Sequence, residues 1–90
     1  MVEFEWDEHK RLSNIEKHGS DFLDARSLFD GRPLFTTINL DHYEVRLIST
    51  GIHAYRHHTV VWTVRELKIR IISFRRARHA EERNYRQLHG

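Results

Sequence analysis

Apolar and acidic residues alternate over Val2-Glu3-Phe4-Glu5-Trp6, and a period of two predicts a short strand. Asp7 suits a helix N-cap and Gly19 a left-handed C-terminal position, so a first helix is expected over roughly 8–18. Leu12 and Ile15 form its narrow apolar stripe. Ser20 or Asp21 can cap a second helix, with Phe22, Ala25, Leu28 and Phe29 on one face and Asp30-Gly31 closing it. The turn cluster Gly31-Arg32-Pro33 then divides a helical front from a strand-rich back. Residues 34–40, 43–52, 59–64 and 68–74 are rich in Val, Ile, Thr and aromatics, with HAYRHH and RELK as the loops between the last three. Consecutive strands joined by short loops imply an antiparallel meander. In KIRIISF the apolar positions slip from Ile69/Ile71 to Ile72/Phe74, which predicts a bulge or a strand buried on both faces. Residues 78–88 read as a closing helix, with Ala77, Glu81, Tyr85 and Leu88 on one face. Glu82 stands four residues from both Arg78 and Arg86, the spacing of helical ion pairs. The expected fold is a small α+β domain spanning 1–90, with two N-terminal helices, a four-stranded antiparallel sheet and a C-terminal helix.

Composition changes this picture in two respects. With 90 residues the chain has room for one core, and 39% hydrophobic content is enough to form it. The absence of cysteine excludes disulfides, thiolate metal sites and cysteine nucleophiles. The N-terminus lacks the apolar core of a signal peptide, and no apolar run approaches the roughly 20 residues of a membrane span, so a cytoplasmic location is expected. Charge is the second respect. Residues 1–30 hold 8 acidic and 4 basic side chains (−4), residues 31–64 hold 2 and 3 (+1), and residues 65–90 hold 3 and 8 (+5), which together give the net +2. Arginine concentrated in the last third points to a polyanionic partner, or else to a solvated helix face.

Two stretches carry the candidate chemistry. In the first helix Lys10, Asn14 and Lys17 recur at i, i+4 and i+7, with His18 adjoining. They can hold a phosphate or flank RNA. Equally, they can form a solvated face, with Asn14 bonding to a neighbouring backbone and Lys17-His18 complementing the helix dipole. Near the end, Arg70, Arg75, Arg76 and Arg78 crowd the last strand and the start of the last helix. Guanidinium offers a planar fork of donors for phosphate oxygens and keeps its charge at any physiological pH. Arg75 and Arg76 would point to opposite faces of a strand, and Arg46 and Arg65 lie in neighbouring strands. Arg83 and Arg86 read as surface partners of Glu81 and Glu82. His53 and His57 have metal-like spacing, but in a loop that spacing fixes no geometry, so neither metal nor cofactor is expected. His18, His58 and His79 are candidate proton-transfer groups, and Glu44 and Tyr85 are candidates beside them.

FEWDEHKRLSNIEKHGSDFLDARSLF followed by RIISFRRARHAEERNY resembles the BrnT family of toxins from prokaryotic type II toxin–antitoxin systems. The family pattern falls on Asp7, Lys10, Asn14, Lys17, His18 and Gly19, then on Phe22, Ala25 and Phe29, then on Arg70 to Ala77 with Glu82 and Tyr85. The resemblance covers almost the whole chain and is weakest over 31–58. It implies a RelE-like fold and RNA cleavage that inhibits translation and growth. It also implies neutralisation by a BrnA-type ribbon-helix-helix antitoxin, in a heterotetramer that meets promoter DNA only through the antitoxin. The family's catalytic positions map onto Arg46, Arg65, Arg75 and Arg76, with Lys17, His18, Arg78 and Tyr85 as RNA contacts.

The expected mechanism is metal-independent endonucleolytic cleavage, in which the ribose 2′-OH attacks the adjacent phosphorus and guanidinium groups stabilise the non-bridging oxygens. A second reading is a non-catalytic nucleic-acid-binding module, with Tyr43, Tyr55 and Trp62 stacking on bases. A third makes the basic surface an antitoxin docking site that covers Arg75 and Arg76. The nuclease reading needs guanidinium groups from separate strands to meet at one concave spot.

Overall fold

Strand β1 (Phe4–Glu5) opens the chain. Asp7 then accepts hydrogen bonds from the His9 and Lys10 amides and starts helix α1 (Glu8–His18), which ends at Gly19 with φ 68°. Asp21 caps the short helix α2 (Phe22–Ala25), which tightens into a 3₁₀ turn over Arg26–Phe29. Strands β2 (Phe35–Asn39), β3 (Arg46–His53), β4 (Arg56–Arg65) and β5 (Lys68–Arg76) follow, and helix α3 (His79–His89) closes the fold. This computed structural model describes residues 2–41 and 43–90.

The sheet has five strands in the order β1-β5-β4-β3-β2, not the expected four. The extra strand is β1, which pairs parallel with β5 at Phe4↔Ile69 and Glu5↔Arg70. A partner at the far end of the chain leaves no local sequence signal, and a parallel pair needs a long crossover in any case. The other pairings are the expected antiparallel meander.

One sheet face carries the core. Phe22, Ala25 and Leu28 from the helical front are fully buried against Val60, Ile71 and Phe74, which are at most 1% exposed. Phe29 meets Trp62 edge-on at 5.0 Å, and Trp62 Nε1 donates to Ser49 Oγ at 2.9 Å. The expected Leu12 stripe of α1 is not core: Leu12 is 55% exposed, and the buried residue of that helix is Asn14. The opposite face is covered at one end by α3, whose Tyr85 packs on His57 at 5.0 Å.

Two local features decide which side chains share a face. Both β3–β4 and β4–β5 turn through two residues with positive φ, Ala54-Tyr55 and Glu66-Leu67, the geometry whose twist matches that of the flanking strands. HAYRHH is therefore mostly strand, and His57 and His58 belong to β4 rather than to a loop. In β5, Val61 faces Ser73 but Trp62 faces Ile71, so Ile72 is the extra residue of a bulge. Past Ile72 every side chain changes faces. Arg75 thus joins Arg70 on the α3 side, while Arg76 lies on the core side with Phe74.

Candidate functional site

The end of α1 is fixed to β5 by a side chain. Asn14, 8% exposed, donates from Nδ2 to the carbonyls of Ser20 (2.8 Å) and Phe74 (2.6 Å) and accepts from the Phe74 amide (3.3 Å). It satisfies both backbone groups of Phe74, as a neighbouring strand would. The expected bond of Asn14 to a neighbouring backbone is made to Ser20, and Asn14 also reaches Phe74, 60 residues away. It brings the Lys17-His18 end of α1 to the end of β5. Asn14→Ala leaves three buried backbone groups unpartnered. The expected loss is about 2 kcal/mol, read as a lower urea midpoint at unchanged slope.

The junction is strongly cationic. Lys17, Arg75 and Arg78 all lie near enough to His18 to disfavour its protonation. Together with burial, which contributes most, they hold its pKa below the ordinary histidine value. On the core side an open cleft of about 390 Å³ is lined by His18, Ser20, Asp24, His53, Arg56, His58, Phe74 and Arg76. His58 and Arg76 are register partners on β4 and β5. His58 stacks on Phe74 at 5.1 Å and meets His53 edge-on at 5.4 Å. Its Nδ1 lies 3.0 Å from the Arg56 carbonyl, which can only accept, so Nδ1 carries the proton and Nε2 is the basic nitrogen. Burial lowers the His58 pKa most, the Arg56 carbonyl opposes this, and His53, Arg76 and Arg56 lower it further.

The four arginines expected to converge do not meet. Arg46 and Arg65 come together, but over Glu44, at 4.0 and 3.4 Å. They sit at the other end of the sheet, since Arg65 is six residues along β4 from the level of Arg75, roughly 20 Å. Arg75 and Arg76 point to opposite faces. Arg75, with 13% of its side chain exposed, makes two bonds to Glu81 at 2.7 and 3.0 Å. Tyr85 is 5% exposed beneath α3, its ring against His57 and His89. What the fold does gather is Lys17, His18, Arg76 and Arg78, with Arg75 beside them.

Pairing separates these groups further. Arg11, Arg32, Arg46, Arg65, Lys68, Arg70, Arg75 and Arg86 each have a carboxylate within 4.0 Å. Among the described residues Lys17, Arg56, Arg76 and Arg78 have none; Arg56 and Arg76 line the cleft with His18 and His58, and Lys17 and Arg78 stand close to His18. Lys10, Arg26 and Arg83 are the other unpaired cations. An unpaired guanidinium presents its full charge and all its donors to an incoming anion, whereas a paired one must first give up its carboxylate.

Sequence reasoning had no sign of Arg56 or of Glu81 as the partner of Arg75. Arg56 enters the site because the β3–β4 turn is only Ala54-Tyr55, a pair without the Asn-Gly or Asp-Gly signal of such turns. Of the expected ion pairs of α3, Glu82 meets Arg86 at 2.6 Å, while the Arg78 amide donates instead to Glu81 at 2.8 Å. His53 and His57 fall on opposite faces, His53 Nδ1 lying 3.0 Å from Ser27 Oγ and His57 beside Glu82. No helix among the described residues is long and apolar enough to cross a membrane.

Residues 6–81 match a family model described as ribonuclease toxin, BrnT, of type II toxin–antitoxin system. No curated protein matches the chain.

Proposed function

The chain belongs to the BrnT family, ribonuclease toxins of type II toxin–antitoxin systems, and from that premise we propose that it cleaves RNA without a metal ion in the cleft between the end of α1, the β3–β4 turn and the end of β5. The reading rests chiefly on one observation: Arg56 and Arg76, without carboxylate partners among the described residues, line one cleft with His18 and His58, and Lys17 and Arg78, likewise unpaired, stand close to His18.

Arg76, with Lys17, Arg56 and Arg78, binds the scissile phosphate and opposes the charge that grows on its non-bridging oxygens. His58 Nε2 takes the proton of the ribose 2′-OH as that oxygen attacks phosphorus. The bond from phosphorus to the 5′-oxygen breaks, and protonated His18 supplies the proton that the leaving oxygen needs. The products are a 2′,3′-cyclic phosphate and a free 5′-hydroxyl. Arg75 acts as a brace, and Arg46 and Arg65 lie outside the scissile site. The RelE-like likeness of the fold, a BrnA-type ribbon-helix-helix antitoxin, a heterotetrameric complex that reaches promoter DNA through the antitoxin, and action in the cytoplasm complete the proposal.

The test is cleavage of naked RNA by the purified protein. Activity is expected to survive EDTA and to stop when the cleaved junction carries a 2′-deoxyribose. Intact RNA after long incubation, or loss on chelation that zinc or manganese restores, rejects the mechanism. The pH profile follows from the two histidines. His58 must be unprotonated and His18 protonated, and both pKa values lie below the ordinary 6.5. The optimum of kcat/KM, which reports the free enzyme, is therefore expected on the acid side of 6.5. Bound phosphate offsets the surrounding cations, so the kcat optimum should sit at higher pH than that of kcat/KM.

A further inference from the structure

A second groove, of about 440 Å³, runs between α1 and the middle of β5 and shares His18 with the cleft. Lys10, Ser13, Lys17, Ile72 and Ser73 line it, and among the described residues no carboxylate does. That is unexpected within residues 1–30, which carry net charge −4. The fold resolves the excess acid elsewhere: on another side of the same helix, Arg11 bonds to both Glu8 and Asp21. Lys10 and Lys17 have no carboxylate partner among the described residues. They stand two helical turns apart, roughly 10 Å, on either side of the inward-turned Asn14. Ile72, the residue that the bulge adds to β5, gives the groove an apolar element beside the hydroxyls of Ser13 and Ser73.

We propose that this groove is a binding subsite for the nucleotides that flank the scissile junction of a single-stranded RNA. Lys10 holds a backbone phosphate, and a base or ribose packs on Ile72. The inference rests on the cleft reading, because the groove is reached from the cleft through His18. Its size falls within the roughly 300–1,000 Å³ typical of small-ligand sites, which suits a nucleotide and not a folded partner. A single strand fits best, because its backbone can follow the edge of β5 and its bases are free to turn toward Ile72.

The test compares a dinucleoside monophosphate with a decanucleotide containing the same junction. Wild-type protein should cleave the decanucleotide with the lower KM. Lys10→Ala should lose about five- to tenfold in kcat/KM on the decanucleotide, through KM, with no change on the dinucleotide. The slope of log affinity against log salt should fall by about 0.7, the value for one phosphate contact on a single strand. Equal losses on both substrates, or no loss on either, overturn the subsite. A decanucleotide with a 2′-deoxy junction measures the groove without cleavage. If wild-type protein binds it more tightly than Lys10→Ala but cleaves neither substrate, the cleft mechanism fails and the groove stands. If Lys10→Ala and Lys10→Glu bind it as wild type does, the groove proposal fails whatever the cleft does.

Discussion

Arg76→Ala is expected to lower kcat/KM for RNA by roughly 10²–10³-fold, the effect of removing one preorganised donor from a developing oxyanion. The loss should appear with little change in folding. Arg76 is exposed and has no carboxylate partner among the described residues, and such surface positions usually tolerate substitution within about 0.5 kcal/mol. Arg76→Lys should recover only part of the activity, because an ammonium keeps the charge but loses the planar fork. The controls are Arg46→Ala and Arg65→Ala, at the far end of the sheet over Glu44. Both should cleave nearly as the parent does. If these two are as inactive as Arg76→Ala, the cleft is the wrong place, and the active surface lies on the other face of the sheet.

Glu81→Ala should give the largest loss of stability among the polar substitutions, about 2–4 kcal/mol by thermal or urea unfolding. Glu81 accepts from both terminal nitrogens of Arg75, from the Arg78 amide and from Thr59 Oγ1. Burial alone would raise its pKa. The Arg75 bonds, the Arg78 amide and the Thr59 hydroxyl together outweigh that and bring it down to about 2. Removing the carboxylate leaves Arg75, with only 13% of its side chain exposed, charged and unpaired. The double variant Arg75→Ala/Glu81→Ala should therefore be less damaged than the two single losses summed, since neither charge is then stranded. The sign with pH is also fixed. A carboxylate whose folded pKa lies below its usual 4.5 stabilises fully above that value and loses the contribution as pH falls toward 2. Acid unfolding should be displaced to higher pH in Glu81→Gln. An unchanged acid midpoint would mean that the pair contributes nothing to the fold.

These two residues show what a linear chain conceals. Arg75 and Arg76 are neighbours of the same type, and alternation along a strand already sends them to opposite faces. Which face each one takes depends on Ile72, whose extra place in β5 reverses the sides of everything after it. The slip in KIRIISF is visible as a break in period that fits either a bulge or a strand buried on both faces, and the register between Val61 and Trp62 decides for the bulge. The consequence of the bulge was not legible, because it requires knowing which face the helices cover. Leu12 and Asn14 exchanged their expected roles for a related reason. Amphipathic spacing ranks side chains by polarity, but the edge of β5 at Phe74, which no strand covers, offers two buried backbone groups, and an amide is the side chain that satisfies both.

The sequence alone determined the helical front, the antiparallel order of the last four strands and the closing helix, because each is encoded in local periodicity and turn chemistry. It also determined the two motifs, around Lys17-His18 and around Arg75 to Arg78, that mark the family. Only the tertiary structure decided that these motifs lie side by side while Arg46 and Arg65 stand at the other end of the sheet. It likewise decided that Arg75 is spent on Glu81 while Arg76 stays open to solvent. The physical reason is that charge pairing and convergence depend on distance through space, and contacts such as Asn14 with Phe74, or Glu5 with Arg70, span more of the chain than any sequence window can read.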